Sequence, residues 1–333
     1  MANKQFSDHR RKVVIVGAGA VGATYCYSLA QSGLADDIVL IDKNEDLVKG
    51  QVLDLRHGQP FFPTVSIRVG KPSDYSDASL VVVTAGVGQK PGESRLKLLK
   101  KNAMIMEDIA GEIADQKCPG ILLIVSNPVD VLTYVALKRT GWDKGRVFGS
   151  GTILDSARFK YLLGTECGVD VHNVHAYILG EHGDSEFAAW SMTNIAGIPI
   201  DSYCLNCGKC TDWKTTRERI ESEVRNSAYE IINYKGATNF AVGLAIVRIT
   251  AAILREQKSV MSVSTLIEGE FGISEVCLSV PCIVSKNGVA RIIQSPLTEK
   301  EIKALNSSAE ILKKAIRETG LTASTLKYPA NQR

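Results

Sequence analysis

Five histidines are spread through the 333-residue sequence, and His182 has the setting of a reactive group. It lies in Gly180-Glu181-His182-Gly183-Asp184, framed by glycines directly after an apolar run. Such a loop has wide backbone freedom and an exposed position where a substrate can reach it. With a reference pKa of ~6.5, an imidazole gains and loses a proton near neutrality. Asp155 and Arg158 stand three residues apart in Gly151-Thr152-Ile153-Leu154-Asp155-Ser156-Ala157-Arg158, a spacing that places both on one helix face. A carboxylate beside the histidine would orient the ring and favour its charged form. A guanidinium fits a small carboxylate through two parallel hydrogen bonds. Reduction of a 2-keto acid needs these parts: a proton donor at the carbonyl oxygen, positive charge where the oxyanion develops, and an anion clamp. On spacing alone, an ordinary ion pair on a helix surface is the better reading of the pair. His9 falls in a polar tail, His57 closes a helix-like segment, and His172 and His175 flank a short strand-like run.

A second motif points to a cofactor. Gly17-Ala18-Gly19-Ala20-Val21-Gly22 follows the apolar run 13–16 and opens a helical pattern. That context turns a common glycine spacing into a dinucleotide fingerprint. Gly17 permits the tight turn, Gly19 the close approach of a pyrophosphate, and Gly22 the packing of helix on sheet. Asp42 ends the next apolar run, twenty residues beyond Gly22, where a carboxylate accepts from ribose hydroxyls and repels a 2′-phosphate. The expected cofactor is therefore NAD rather than NADP. Thr84-Ala85-Gly86 and Ser126-Asn127-Pro128 end two further runs, and open α/β sheets bind ligands at such strand ends.

The elements that must position these groups follow from hydrophobic patterning. Residues 13–16, 38–41, 65–69, 80–84 and 121–125 are short and almost wholly apolar, as strands buried on both faces are, with 146–148 as a sixth. Helical patterns at 20–32 and 95–116 lie between them. The alternation predicts an α/β, Rossmann-type doubly wound parallel sheet over 1–150, with a polar tail at 1–11. Gly149-Ser150-Gly151 then changes the pattern, and a mixed α+β substrate domain is expected over 151–333. It would hold helices at 153–163, 215–234, 240–255 and 298–317, a strand at 175–179, and late strands at 259–268, 275–284 and 288–293 that suit an antiparallel sheet.

Composition narrows the function classes. Hydrophobic content of 45% and charged content of 23% are those of an ordinary globular protein. A formal charge of +3 without a long basic run speaks against nucleic acid or an anionic membrane as main partner. Residues 1–8 lack the apolar run of a secretory signal, so a cytoplasmic protein is expected. The apolar stretch 237–254 carries Asn239 and Arg248 and is short for a membrane span. Eight scattered cysteines are expected as reduced thiols. Cys204, Cys207 and Cys210 form C-x2-C-x2-C, but no fourth ligand follows at metal-motif spacing, so no metal is expected.

The ordered set GAGAVG, Thr84-Ala85-Gly86, Gly92-Glu93-Ser94-Arg95-Leu96, Ser126-Asn127-Pro128-Val129-Asp130, GSGTILDSAR, GEHGDSE and Lys235-Gly236-Ala237-Thr238 resembles the lactate/malate dehydrogenase family. Within it, the sequence is most similar to the bacterial NAD-dependent L-lactate dehydrogenases, over about residues 12–317. The resemblance implies pyruvate and L-lactate as the substrate pair, His182 as proton donor and acceptor, and Asp155 as its carboxylate partner. It further implies Arg158 as the substrate-carboxylate clamp and Arg95 as the arginine of a mobile loop that closes over the carbonyl. Asn127 is placed near nicotinamide and substrate oxygen, and Thr238 in the pocket wall.

Gln89 stands where malate enzymes of the family carry an arginine. Without that charge, the second carboxylate of oxaloacetate would be enclosed unpaired, at a cost of about 3–5 kcal/mol. Lys90 beside it could compensate in part if the loop shifted. The family also implies a homotetramer and, in many bacterial members, activation by fructose 1,6-bisphosphate. His175 matches the effector-binding histidine, while Lys160 replaces the arginine. A dehydrogenase for larger 2-hydroxy acids, and a non-catalytic NAD-binding protein on the same fold, are the competing readings.

Overall fold

The computed structural model describes residues 11–88, 92–206, 208 and 212–321. Gln89, Lys90, Cys207, Cys210 and His9 lie outside the described residues.

The first half alternates as its patterning predicts. Strand β1 (Lys12–Val16) leads to helix α1 (Ala20–Ser32), β2 (Asp37–Ile41), α2 (Glu45–His57) and β3 (Ser66–Val69). After β4 (Leu80–Val83) come α3 (Arg95–Asp115), β5 (Ile121–Ile124), α4 (Val129–Thr140) and β6 (Val147–Gly149). All six strands are parallel, in the spatial order β3-β2-β1-β4-β5-β6. Every residue of β1, β4, β5 and β6 is buried, because helices cover both faces. The chain reverses its direction of sheet growth between β1 and β4, and ligands of such sheets bind at that crevice.

The second half begins with α5 (Ile153–Cys167), followed by β7 (Val174–His175), β8 (Ile178–Leu179) and β9 (Phe187–Ala188). The expected strand at 175–179 is thus two pieces serving different sheets: β7 pairs with β10 (Asn194–Ile195), and β8 pairs with β9. Next come β11 (Ile198–Pro199), α6 (Ile200–Asn206), α7 (Trp213–Lys235) and α8 (Phe240–Leu254). Three antiparallel strands, β12 (Ser259–Glu268), β13 (Ser274–Ser285) and β14 (Gly288–Ile292), precede the closing helix α9 (Glu299–Thr319). These strands do not stand apart. β12 pairs with β6 at Ser264 and Gly149, so a single nine-stranded sheet runs through both halves.

Polar pins at this junction set the site. Thr152 Oγ1 donates to the Ile178 carbonyl at 2.5 Å, and the Ile178 N–H donates to Ser156 Oγ at 2.9 Å. Gly180 and Ser279 exchange both backbone bonds, at 3.0 and 2.8 Å. β8 is thereby clamped between the first turn of α5 and β13, and the loop after it must emerge over Asp155. A smaller apolar core of Phe159, Leu163, Ile178, Trp190, Ile220 and Val224 supports this region, and Cys204 is buried within it.

Candidate functional site

The glycine turn after β1 has the shape its sequence predicts. Gly17 has φ +107°, and a Cβ there would sit 2.7 Å from both Ala85 N and Thr84 Oγ1. A Cβ on Gly22 would meet the Gly17 carbonyl oxygen at 1.9 Å, so the helix can approach the turn only without a side chain. Gly19 has open space where its Cβ would point, and it caps α1 with no side-chain bond to the first turn. The N–H groups of a helix's first turn have no intrahelical partner and favour an anion. Val21 packs against the core from the first turn of α1. Asp42 accepts from Ala18 N at 2.7 Å with one oxygen and from Asn44 N at 2.9 Å with the other. An ionised carboxylate has about four acceptor positions, so two bonds leave room for ribose hydroxyls.

The neighbouring strand ends are tied together. Thr84 Oγ1 donates to the Val16 and Gly17 carbonyls, and Ser126 Oγ donates to Val83 O and to Ala85 O at 2.6 Å. Asn102 on α3 accepts from Val87 N at 2.9 Å and donates to Asn127 O at 3.0 Å, joining the base of the loop beyond Gly86 to the β5 end. Asn102 is buried, and sequence reading missed it because a lone asparagine in a helical pattern carries no signal of its partner. These residues fit a dinucleotide: a positive helix end, backbone open to a pyrophosphate, and a carboxylate at the ribose position.

His182, Asp155 and Arg158 meet directly. His182 Nδ1 lies 2.6 Å from one Asp155 oxygen, and Arg158 Nη1 donates to the other at 2.8 Å. The i,i+3 pair therefore forms, but inside the protein: the side chains of Asp155 and Arg158 are 2% and 13% exposed. The His182 N–H donates to Asp130 Oδ2 at 2.8 Å, fixing the loop to α4. Burial works against a charged His182 ring, but the charge of Asp155 and its hydrogen bond outweigh that, with Glu186 and Asp130 adding, and the pKa is raised to about 9. Asp155 resists the upward push of its own burial because His182 and Arg158 hold it ionised, below its ordinary range. Asp130 is pushed up to about 6 by burial, which the nearby Ser264 hydroxyl and its bond from the His182 N–H offset only in part.

Glu186 is a third carboxyl here that sequence reading did not single out. One ligand atom from each of Asp155, His182 and Glu186 lies within 4.8 Å of the others. Burial first, then the negative charge of Asp155, raise its pKa well above the usual carboxylate range.

The remaining expected residues are more dispersed. Arg95 opens α3 with its side chain 81% exposed, facing Asp184 at 3.7 Å. Asn127 is exposed at the β5 end, three residues before Asp130. Thr238 is half-buried in the turn between α7 and α8, a turn fastened to α1 by Asn239 Nδ2 donating to Thr24 Oγ1 at 2.9 Å. Lys160 faces a cavity of about 450 Å³ with Tyr177 and Arg248, whereas His175 is exposed on β7 and does not line it.

Known proteins share this sequence and fold. The family model for the lactate/malate dehydrogenase NAD binding domain matches residues 11–149, and that for the lactate/malate dehydrogenase alpha/beta C-terminal domain matches 152–321. L-lactate dehydrogenase of Treponema denticola is 57% identical over 93% of this chain and 99% of its own. L-lactate dehydrogenase of Thermoanaerobacter pseudethanolicus is 51% identical, over 92% and 98%. Among solved structures, a lactate dehydrogenase from a Medee basin deep-sea metagenome library has a TM-score of 0.91 at 43% identity, covering 94% of this chain and 99% of that one. The minor L-lactate dehydrogenase of Enterococcus mundtii in its ligands-bound form has a TM-score of 0.90 at 41% identity, covering 93% and 98%.

Proposed function

The chain belongs to the lactate/malate dehydrogenase family, and from that premise we propose that it interconverts pyruvate and L-lactate with NADH and NAD+. The observation that carries the reading is one buried carboxylate shared by two cations. Asp155 holds His182 with one oxygen and Arg158 with the other.

When bound, NADH supplies the hydride delivered to C2; the chain's own residues do the rest. His182 Nδ1 is engaged by Asp155, so Nε2 is the nitrogen that gives its proton to the carbonyl oxygen and takes it back in lactate oxidation. Asp155 stabilises the imidazolium and fixes the ring plane. Arg158 spends one donor on Asp155 and makes no other hydrogen bond among the described residues, leaving guanidinium edges for the substrate carboxylate. Arg95, brought in from its exposed position, places positive charge at the developing oxyanion. Asn127 and Thr238 contribute a polar contact and a pocket wall. Gly17, Gly19, Val21, Gly22, Asp42, Thr84, Ala85, Gly86, Ser126 and Asn127 hold the cofactor. In this division, residues 1–150 serve the cofactor and 151–333 the substrate.

Gln89 sets the preference for pyruvate over oxaloacetate, since no cation there would pair a second carboxylate. NADH oxidation across 2-keto acids of graded size and charge tests the assignment. Pyruvate is expected to give the highest kcat/KM, and Gln89→Arg to turn the preference toward oxaloacetate. Equal kcat/KM for the two acids in the unmodified enzyme overturns it.

Assembly and regulation follow the family pattern in this reading. A groove of about 620 Å³ between α1, α2 and α8 presents Tyr27, Leu55, Phe240, Leu244 and Val247, apolar surface that supports burial by another copy in a homotetramer. Lys160 and Arg248 face one cavity, and burial followed by Arg248 lowers the Lys160 pKa. Two crowded cations favour a polyanion, which supports fructose 1,6-bisphosphate as activator with His175 nearby in the chain. A lower KM for pyruvate with the bisphosphate is expected; an unchanged KM removes the effector, and a monomer on sizing removes the tetramer.

A further inference from the structure

His182 faces three carboxyls, from three parts of the chain. Asp155 comes from α5 and Asp130 from α4, and Glu186 follows four residues after the histidine, at the start of the segment leading into β9. Asp155 and Asp130 each spend an oxygen on a bond to His182, to the ring and the backbone N–H respectively. Glu186 is 7% exposed, and its backbone is held by the Gly183 carbonyl, which accepts from Glu186 N at 3.1 Å. The charged groups that act on it are Asp155, His182 and Arg158, together with Arg225 of α7. Arg225 donates to the Glu186 backbone carbonyl at 3.5 Å, and its buried Nε has no partner among the described residues.

We propose that the Glu186 carboxyl acts through His182 as a second acid site in proton balance with the ring, and so sets the pH at which the site turns from pyruvate reduction to lactate oxidation. The inference rests on His182 being the proton donor. Two ionisable groups this close, one of them buried, titrate as a pair rather than singly. While both are protonated, the ring is charged and the acid neutral. As pH rises, loss of the Glu186 proton places a negative charge beside the imidazolium and holds the ring proton to higher pH. Reduction, which needs the charged ring, extends upward in pH; oxidation, which needs the neutral ring, is delayed. Burial, the nearby Asp155 charge and the countering charges of His182, Arg158 and Arg225 act together on Glu186, so its ionisation falls in the alkaline range where that exchange occurs. Glu186 touches no reacting atom, which makes it a positioning residue.

The test follows His182 directly in 15N-histidine-labelled full-length enzyme, with its signal assigned by loss in His182→Gln. The unmodified protein is expected to show a two-step titration of this ring. Glu186→Gln, equal in size but unable to ionise, is expected to show one step with its midpoint lower by about 1 pH unit. The alkaline limb of kcat/KM for pyruvate should move down by the same amount, and the acid limb for lactate likewise. Glu186→Asp, which keeps the acid, should retain two steps; it also serves if the glutamine variant does not fold. A ring titration unmoved in Glu186→Gln, or a single step in Glu186→Asp, overturns this inference while leaving His182 as donor. Full turnover with an unchanged pH profile in His182→Gln overturns the donor assignment itself.

Discussion

The two sides of the substrate site are built differently. On one side, Asp155, His182 and Arg158 have side chains 2%, 26% and 13% exposed and hold one another at hydrogen-bond distance. On the other, Arg95 is 81% exposed and lies 3.7 Å from Asp184, itself 61% exposed, with Tyr229 also close by. The buried side is preorganised: α5, β8 and β13 are pinned by Thr152, Ser156 and Ser279 before any substrate arrives. In the proposed mechanism, Arg95 must travel from its exposed position to reach the substrate. Val87, after β4, is stapled by Asn102, and Glu93, just before α3, pairs with Lys101. In that mechanism a fixed acid with a mobile cation would let substrate enter an open site and react in a closed one.

Replacing His182 is the most severe way to break this comparison. His182→Gln removes the proposed proton donor and should lower kcat by about 10²–10⁴. Because its pKa is raised to about 9, kcat/KM for pyruvate should be flat through neutrality and fall as pH rises past that value. Lactate oxidation, which needs the neutral ring, should rise over the same range. Pre-steady-state and pH-rate measurements on the variant check both; an alkaline limb that survives the substitution means another group is being titrated.

On the exposed side, Arg95→Gln removes the cation proposed to act at the developing oxyanion. The loss expected in kcat is about 10²–10³, with substrate affinity changed less. Arg158→Lys cuts the other way. It keeps the charge but loses the two-pronged grip, and a charged hydrogen bond of about 1.5–3 kcal/mol corresponds to a rise in KM of roughly 10–10². Steady-state kinetics separate the two sides by this kcat-against-KM split. A pure KM effect at Arg95 would mean that the loop binds substrate rather than promoting the chemical step.

Much of the preorganised side was legible in the sequence, and the reasons are local. Gly17, Gly19 and Gly22 follow a strand and open a helix, so turn chemistry and hydrophobic period point the same way. The meeting of His182 with Asp155 needed more, since 27 residues separate them and only the ordered motifs brought them together. Glu186 and Asp130 were not legible as members of the site. A carboxyl in sequence reads as solvated surface, and its burial depends on packing between α4, α5 and the loop after β8. Helix α4 itself lacks an amphipathic stripe because ten of its twelve residues are buried. The division of 175–179 into β7 and β8 is likewise a tertiary effect: successive residues take partners in different sheets, which periodicity alone does not report.

The smallest expected effect sharpens the comparison most, because it concerns the resting place of Arg95. Asp184 sits two residues after His182, so the two sides touch here, and Tyr229 on α7 donates to Asp184 Oδ1 at 2.7 Å. An exposed pair of this kind contributes about 0–1 kcal/mol, and salt screens it. Asp184→Asn should therefore release Arg95 for closure by no more than about fivefold. The expected outcome is a modest fall in KM for pyruvate at low ionic strength that disappears as salt is raised, with kcat nearly constant. Tyr229→Phe, which loosens Asp184 without removing its charge, should give a still smaller shift in the same direction. A tenfold or larger change that persists at high salt would place Asp184 with the buried carboxyls around His182, and the boundary between fixed and mobile sides would then run through α3 instead of the loop that follows β8.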